Sequence, residues 1–287
     1  MIDIHHHLIC GVDDGAPNLE TSLAMAQEAI HDGVTHIVCT PHANDVHPYR
    51  LERNRERLDE IQAALGDSVQ LLLACDFHLN ADNICDALEY PLRYSIDGKG
   101  YLLVEFSELA IPPQLDDALN RLRGVGYTCI LTHPERNPII VRKPERMVQW
   151  MRSGALVQVT ASSLYGRFGR IAESFSNQLL DLNWIHFLAT DAHNLTSRPP
   201  HLRKAYDYVA NRCGVETAER LCQLNPLAAI SGHKLPRQPE PIGLYEDEPV
   251  KFSQNFKSSG VGHRPAGKPP GILSRLFRRA RAFSLML

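Results

Sequence analysis

Seven short apolar runs, rich in β-branched and aromatic residues, recur along the chain at residues 2–9 (IDIHHHLI), 34–39 (VTHIVC), 69–75 (VQLLLAC), 101–106 (YLLVEF), 127–132 (YTCILT), 155–160 (ALVQVT) and 184–190 (WIHFLAT). Stretches between them carry apolar residues at helical spacing, at 18–33, 113–126, 143–154 and 168–183. Three of these close on a glycine just past the last periodic residue, Gly33, Gly126 and Gly154, where a helix C-terminus favours it. Strands alternating with helices predict βαβ units and a parallel sheet. Seven such units, with polar residues clustered after the strands, predict an α/β fold of (β/α)7 barrel type with its active site at the C-terminal ends of the strands. An open doubly wound sheet is the alternative.

The pattern changes after Leu235. Residues 1–235 read as one globular domain, whereas 236–270 are rich in Pro, Gly, Ser and charge and read as a disordered linker. The final segment, 271–287 (GILSRLFRRARAFSLML), sets Ile272, Leu273, Leu276, Phe277, Ala280, Phe283 and Leu287 on one side of a helical wheel. Arg275, Arg278, Arg279 and Arg281 fall on the other. A basic amphipathic helix of this kind suits an anionic membrane surface or a partner; a merely disordered tail is the plainer reading.

A net charge of −3 over 287 residues gives no electrostatic footprint for nucleic acid. The seven cysteines, at 10, 39, 75, 85, 129, 213 and 222, form no CxxC pair and are odd in number, which suits reduced thiols. With no signal-peptide pattern and no apolar run of membrane-spanning length, the expected location is the cytoplasm, with 271–287 offering peripheral contact at the inner face of the plasma membrane.

Candidate chemistry gathers at the strand ends. In a strand, His5 and His7 point one way and His6 the other, so the first two can share a metal ion. The following loop carries Asp13 and Asp14. Later strand ends carry His42, Asp76 with His78, Glu105, His133-Pro-Glu-Arg136, and Asp191 with His193. Imidazole with carboxylate suits Zn, Mn or Fe, and so many ligands exceed the needs of one tetrahedral ion. Closely spaced ions suit phosphate-ester hydrolysis, with Arg136 and Arg198 neutralising phosphoryl oxygens. His36 and His186, inside apolar runs, read as packed core residues, and His78 as either a support or a substrate contact.

The segments MIDIHHHLICGVDDGA, CTPH, DFHL, LLVEF, LTHPERN, QVTASSLYGRFG and ATDAHNLTSRPP resemble, in order, the motifs of the bacterial tyrosine-protein phosphatases of the PHP (polymerase and histidinol phosphatase) superfamily. The resemblance covers residues 1–235. It implies a distorted, TIM-like (β/α)7 barrel (the PHP fold) and a site of two or three ions, usually Mn²⁺, with Zn²⁺ or Fe as alternatives. It also implies dephosphorylation of the membrane-associated tyrosine kinases of capsule and exopolysaccharide export. Residue by residue, it implies that His5, His7, Asp76 and Asp191 bind one ion, that Asp76, Glu105 and His133 bind a second, and that Asp14, His42 and His193 bind a third. Arg136 and Arg198 match the phosphate-contacting arginines. The family usually has Glu where Asp76 stands, one methylene longer.

The expected reaction is in-line attack on phosphotyrosine by a metal-activated hydroxide, with tyrosinate, pKa about 10, as leaving group. No general acid is evident. A cysteine phosphatase would need Cys-x5-Arg, and none of the seven cysteines has arginine six positions on. Rival classes are a metal-dependent amidohydrolase, a small-molecule phosphatase of the histidinol-phosphate type, and a degenerate metal-binding regulator.

Overall fold

Nine strands and ten α-helices make up a computed structural model that describes residues 1–246, 250 and 252. The strands are β1 (Ile2–His6), β2 (His36–Cys39), β3 (His42–Ala43), β4 (Gln70–Leu73), β5 (Asp76–His78), β6 (Tyr101–Glu105), β7 (Thr128–Thr132), β8 (Leu156–Thr160) and β9 (Phe187–Ala189). The helices are α1 (Leu19–His31), α2 (Leu51–Leu65), α3 (Ala81–Glu89), α4 (Gln114–Gly124), α5 (Pro138–Arg142), α6 (Glu145–Arg152), α7 (Gly169–Asp181), α8 (Arg203–Cys213), α9 (Val215–Glu219) and α10 (Asn225–Ser231). Asn18 caps α1 by accepting the Thr21 amide, and α1, α4 and α6 stop just short of Gly33, Gly126 and Gly154.

All strand pairs are parallel, in two sheets ordered β1-β2-β4 and β3-β5-β6-β7-β8-β9. Nine strands replace the expected seven because the second and third each break once. Thr40 N donates to His6 O, but Pro41 has no N–H to continue that ladder, and the chain resumes as β3. The neighbouring strand breaks at the same level, at Ala74 and Cys75, held by Ala74 N to Cys39 O and Asp76 N to Pro41 O.

The ladder does not close into a barrel among the described residues. The segment just past β9 meets the end of β1 through one isolated bridge, His6 with Ala192, flanked by His7 N to Ala192 O (2.9 Å) and Asp191 N to His5 O (2.8 Å). The buried Asp3 carboxylate joins the same seam, accepting from Thr190 N at 3.0 Å and from its hydroxyl. Burial pushes its pKa up to about 6. The (β/α)7 expectation thus resolves into an α/β fold with two parallel sheets.

Alternation sorts the core into two sets. Ile2, Ile4, Val38, Leu72, Leu103, Ile130, Phe187 and Ala189 form an inner cluster with Ala229 and Ile230 of α10. Their neighbours, such as Ile37, Leu71, Leu73, Leu102, Val104, Leu131, Val157, Val159 and Leu188, pack in a second cluster with the helices.

Residues 236–246, the first part of the expected linker, pack as a strap near the N-terminal ends of β8 and β9. Trp184 Nε1 donates to Ile242 O (3.0 Å), Ile242 N to Leu182 O (2.9 Å), and Arg152 Nε to Leu244 O (2.6 Å). Gln238 and Asn225 exchange side-chain amide bonds. The basic segment 271–287 lies outside the described residues.

Candidate metal centre

The site begins with an irregularity in β1. Its register against β2 runs from Asp3 opposite Ile37 to His6 opposite Cys39, three residues against two, so β1 carries one extra residue. A bulge of this kind lets successive side chains share a face. Ile4 joins the inner cluster, and the next residue, His5, turns toward Gln158 and Asp76, also on the inner side. His7 follows it into the mouth. His6 is fully buried elsewhere with neither ring nitrogen hydrogen-bonded, and burial pushes its pKa down to about 3.

The nine side chains expected as ligands converge. His5 Nε2 stands 3.3 Å from His7 Nε2, and both lie 3.4 Å from Asp191 Oδ1. Asp76 Oδ2 is 3.6 Å from His5 Nε2, 3.3 Å from His42 Nδ1 and 4.0 Å from His133 Nε2. Glu105 reaches His42 Nδ1 at 3.7 Å and His133 Nε2 at 3.8 Å. Asp14 Oδ1 faces His42 Nε2 at 3.3 Å and His193 Nε2 at 3.4 Å. The smallest groupings that could surround an ion are His7, Asp14, His42 and His193; His5, His7 and Asp76; His5, His133 and Asp191; and His42, Asp76 and Glu105.

These separations are long for hydrogen bonds and right for ligands around shared ions. Donor atoms bound at about 2.1 Å to one ion stand about 3.0–3.4 Å apart in octahedral or tetrahedral arrangement. Asp76 Oδ2, Asp191 Oδ1, His42 Nδ1 and His193 Nε2 are buried and make no hydrogen bond, a costly state for a polar atom that a cation would relieve. The residues present therefore fit a group of ions.

Neighbouring groups aim the imidazoles. His7 Nδ1 donates to Asp13 Oδ2 (2.7 Å), His5 Nδ1 to Gln158 Oε1 (3.0 Å), and His193 Nδ1 to the Asp191 carbonyl (3.0 Å). Each bond fixes the tautomer that turns an Nε2 lone pair inward. Asp13 also accepts from His42 N (3.1 Å) and Gly15 N (2.9 Å), so one carboxylate ties two ligand-bearing strand ends to their loop. Sequence reasoning passed over Asp13 and Gln158 as supports. The signals were a second aspartate in DDG and a glutamine inside an apolar strand.

Burial disfavours charge throughout; it prevails at His133 and His193, whose pKa values it pushes down, whereas carboxylates overcome it at His5 and His42. His5 is desolvated, yet Asp191 and Asp76 hold its pKa up at about 9. His42 is likewise carried to about 11 by Asp14 and Asp76. Burial, reinforced by Asp76, pushes Glu105 up to about 8. Arg136 and Arg198 both donate to Asp191 Oδ2, leaving Oδ1 toward His5 and His7. His133 (φ 33°) and Asp191 (φ 52°) are left-handed non-glycine residues, a local strain that clusters at functional sites.

His186 accepts from Val157 N (3.1 Å) as a packed residue, whereas His36 is not a core residue: it is half-buried at the start of β2 and contacts the exposed Thr35 hydroxyl. His78 sits at the end of β5 in register with Glu105. Five cysteines are buried, Cys85 and Cys213 are exposed, and burial pushes the thiols of Cys129 and Cys222 up to about 12, far from nucleophilic thiolates.

Fold and cluster together define a class, the α/β proteins that deliver histidines and carboxylates at the C-terminal ends of parallel strands. The chain belongs to the CpsB/CapC family of capsular polysaccharide synthesis, whose model matches residues 1–231. It is 32% identical to CapC of Staphylococcus aureus over 213 residues, 72% of this chain and 82% of CapC. It is 30% identical to the tyrosine-protein phosphatase YwqE of Bacillus subtilis over 246 residues, 84% of this chain and 96% of YwqE. Among solved structures it matches, with a TM-score of 0.77 at 30% identity, a chain from the crystal structures of YwqE from Bacillus subtilis and CpsB from Streptococcus pneumoniae, described as unique metal-dependent tyrosine phosphatases. That match covers 84% of this chain and 99% of the other.

Proposed function

We propose that the chain is a metal-dependent protein-tyrosine phosphatase that uses Mn²⁺ and acts on a phosphotyrosine protein, a tyrosine kinase of capsule or exopolysaccharide synthesis. The observation that carries this reading is the joining of two arginines to a histidine–carboxylate cage through one residue, Asp191. Family membership and the named activity of YwqE support it. His5, His7, Asp76 and Asp191 would hold one ion, Asp76, Glu105 and His133 a second, and Asp14, His42 and His193 a third, on a strand arrangement we read as a distorted (β/α)7 barrel. Bound ions of this kind generate a hydroxide at neutral pH and offset phosphoryl charge.

Arg136 and Arg198 bind and orient the phosphoryl oxygens, since planar guanidiniums offer paired donors to phosphate. Asp13 and Gln158 keep Nδ1 of His7 and His5 protonated, so that the opposite nitrogens remain available to ions. No thiol takes part, and no phosphoenzyme forms. Residues 1–235 form the phosphatase domain, and 271–287 bring it peripherally to the inner face of the plasma membrane from the cytoplasm. No helix among the described residues is long and apolar enough to cross a membrane.

The test is metal analysis of the purified chain with turnover of a phosphotyrosine peptide and of histidinol phosphate, before and after chelation. Peptide turnover that disappears on chelation and returns with Mn²⁺ is the expected result. Preference for histidinol phosphate, or activity indifferent to chelation, would overturn the proposal.

A further inference from the structure

The loop after β8 ends in a tip, Gly166-Arg167-Phe168-Gly169, whose glycines have φ of 85° and 88°. At Gly166 the left-handed φ is what favours glycine, since the nearest atom to an added Cβ, Glu173 Oε2 at 2.9 Å, is the end of a flexible side chain. Arg167 is exposed and Phe168 half-buried, so neither anchors the core. Each nevertheless has a specific partner across the mouth. The Arg136 guanidinium carbon lies 4.4 Å from the centroid of the Phe168 ring. Arg167 Nη1 donates to the carbonyls of Thr196 (3.3 Å) and Ser197 (2.7 Å), the two residues before Arg198.

The surrounding bonds make this a clamp. At its base, Glu135 Oε1 accepts from Thr160 N (3.0 Å) and Ser163 Oγ (2.7 Å), tying the loop after β8 to the residue beside Arg136. On the other side, Asn194 Oδ1 accepts the amides of Thr196, Ser197 and Arg198, while Arg167 takes two of the carbonyls. The peptide planes leading into Arg198 are thus held from both ends. Stacking uses the face of Arg136, so that the in-plane N–H groups not given to Asp191 remain for an anion. Arg198 Nε is buried without a hydrogen bond, a donor still to be used.

We propose that Arg167 and Phe168 are positioning residues that fix Arg198 and Arg136 relative to each other, so that both guanidiniums address a single phosphoryl group. This rests on the reading above that the two arginines bind phosphate. An unsupported arginine must surrender the freedom of a long side chain on binding; a stacked one has already done so.

The experiment measures orthophosphate binding to the Mn²⁺-loaded full chain by calorimetry, with metal content and Tm recorded for every variant. Phe168→Ala and Arg167→Met should each weaken binding about three- to tenfold, and Phe168→Tyr should restore it, at unchanged metal content. The decisive readout is coupling: Phe168→Ala should cost nothing further in Arg136→Ala, and Arg167→Met nothing further in Arg198→Ala. Additive losses in those backgrounds, wild-type affinity in both single variants, or no phosphate binding by the wild type would overturn the proposal. Coupled losses in a protein that fails to turn over phosphotyrosine would instead overturn the proposed function and leave the positioning role intact.

Discussion

Replacing Asp13 by alanine should damage metal binding and folding together, by separable amounts. The side chain is 1% exposed, and its two oxygens accept from His7 Nδ1 (2.7 Å), His42 N (3.1 Å) and Gly15 N (2.9 Å). Burial would raise its pKa, but His7, with the Gly15 amide and His42, holds it down at about 2. Hydrogen bonds to a charged partner contribute about 1.5–3 kcal/mol each, and water entering the space recovers part of that, so about 3 kcal/mol of ion-free stability should be lost. The wild-type advantage should be full above pH 4 and fade as pH falls toward 2, because the depressed pKa makes the ionised form the stabilising one. Freed from Asp13, His7 can place its proton on either nitrogen and rotate, which should weaken Mn²⁺ binding about 10- to 100-fold. Calorimetric Mn²⁺ titration and urea unfolding of the chelated protein measure the two effects. Wild-type Mn²⁺ affinity in a destabilised Asp13→Ala protein would refute the orienting role and reduce Asp13 to a loop staple.

Three further outcomes are expected. Gly15→Ala would set a Cβ 2.2 Å from His7 O and 2.6 Å from its Cβ, so the loop must move; Tm should drop by several degrees with loss of bound metal, and an unchanged Tm would contradict the contact. Because burial and Asp76 hold Glu105 near 8, and Asp191 and Asp76 hold His5 near 9 against burial, both must shed protons to bind ions. Mn²⁺ affinity should therefore climb between pH 6.5 and 9 with proton release in calorimetry, and a flat profile would count against that competition. Iodoacetamide should reach Cys85 and Cys213 yet leave phosphatase activity intact, while EDTA abolishes it; the reverse pattern would restore a thiol mechanism.

The candidate ligands were legible because a parallel sheet delivers strand ends to one place, and the run of His and carboxylate after successive apolar segments survives any error in strand length. The backbone details were less legible. Alternation alone puts His5 on the face opposite Ile4, yet both face inward because β1 bulges between Asp3 and His6. The break before His42 has a visible cause in Pro41, but the matching break before Asp76 is imposed by its neighbour across the sheet and leaves no local mark. Residues 236–246 looked like linker because their bonds to Trp184, Arg152 and Asn225 use mainly backbone groups, which composition does not reveal. Arg167 and Phe168 lie in the QVTASSLYGRFG motif, but only the folded chain sets them beside Ser197 and Arg136.

The paired break of β2 from β3 and of β4 from β5 has a consequence for how such chains can diverge. Val38 and Leu72 lie before the breaks, in the apolar interior, whereas His42 and Asp76 lie after them, at the edge of the six-stranded sheet. On these strands a substitution that resizes the interior and one that retunes the mouth fall on opposite sides of a break, and only the pairing of Asp76 with Leu103 links the two sets directly. A single-methylene exchange at position 76 can therefore be tried without altering Val38 or Leu72.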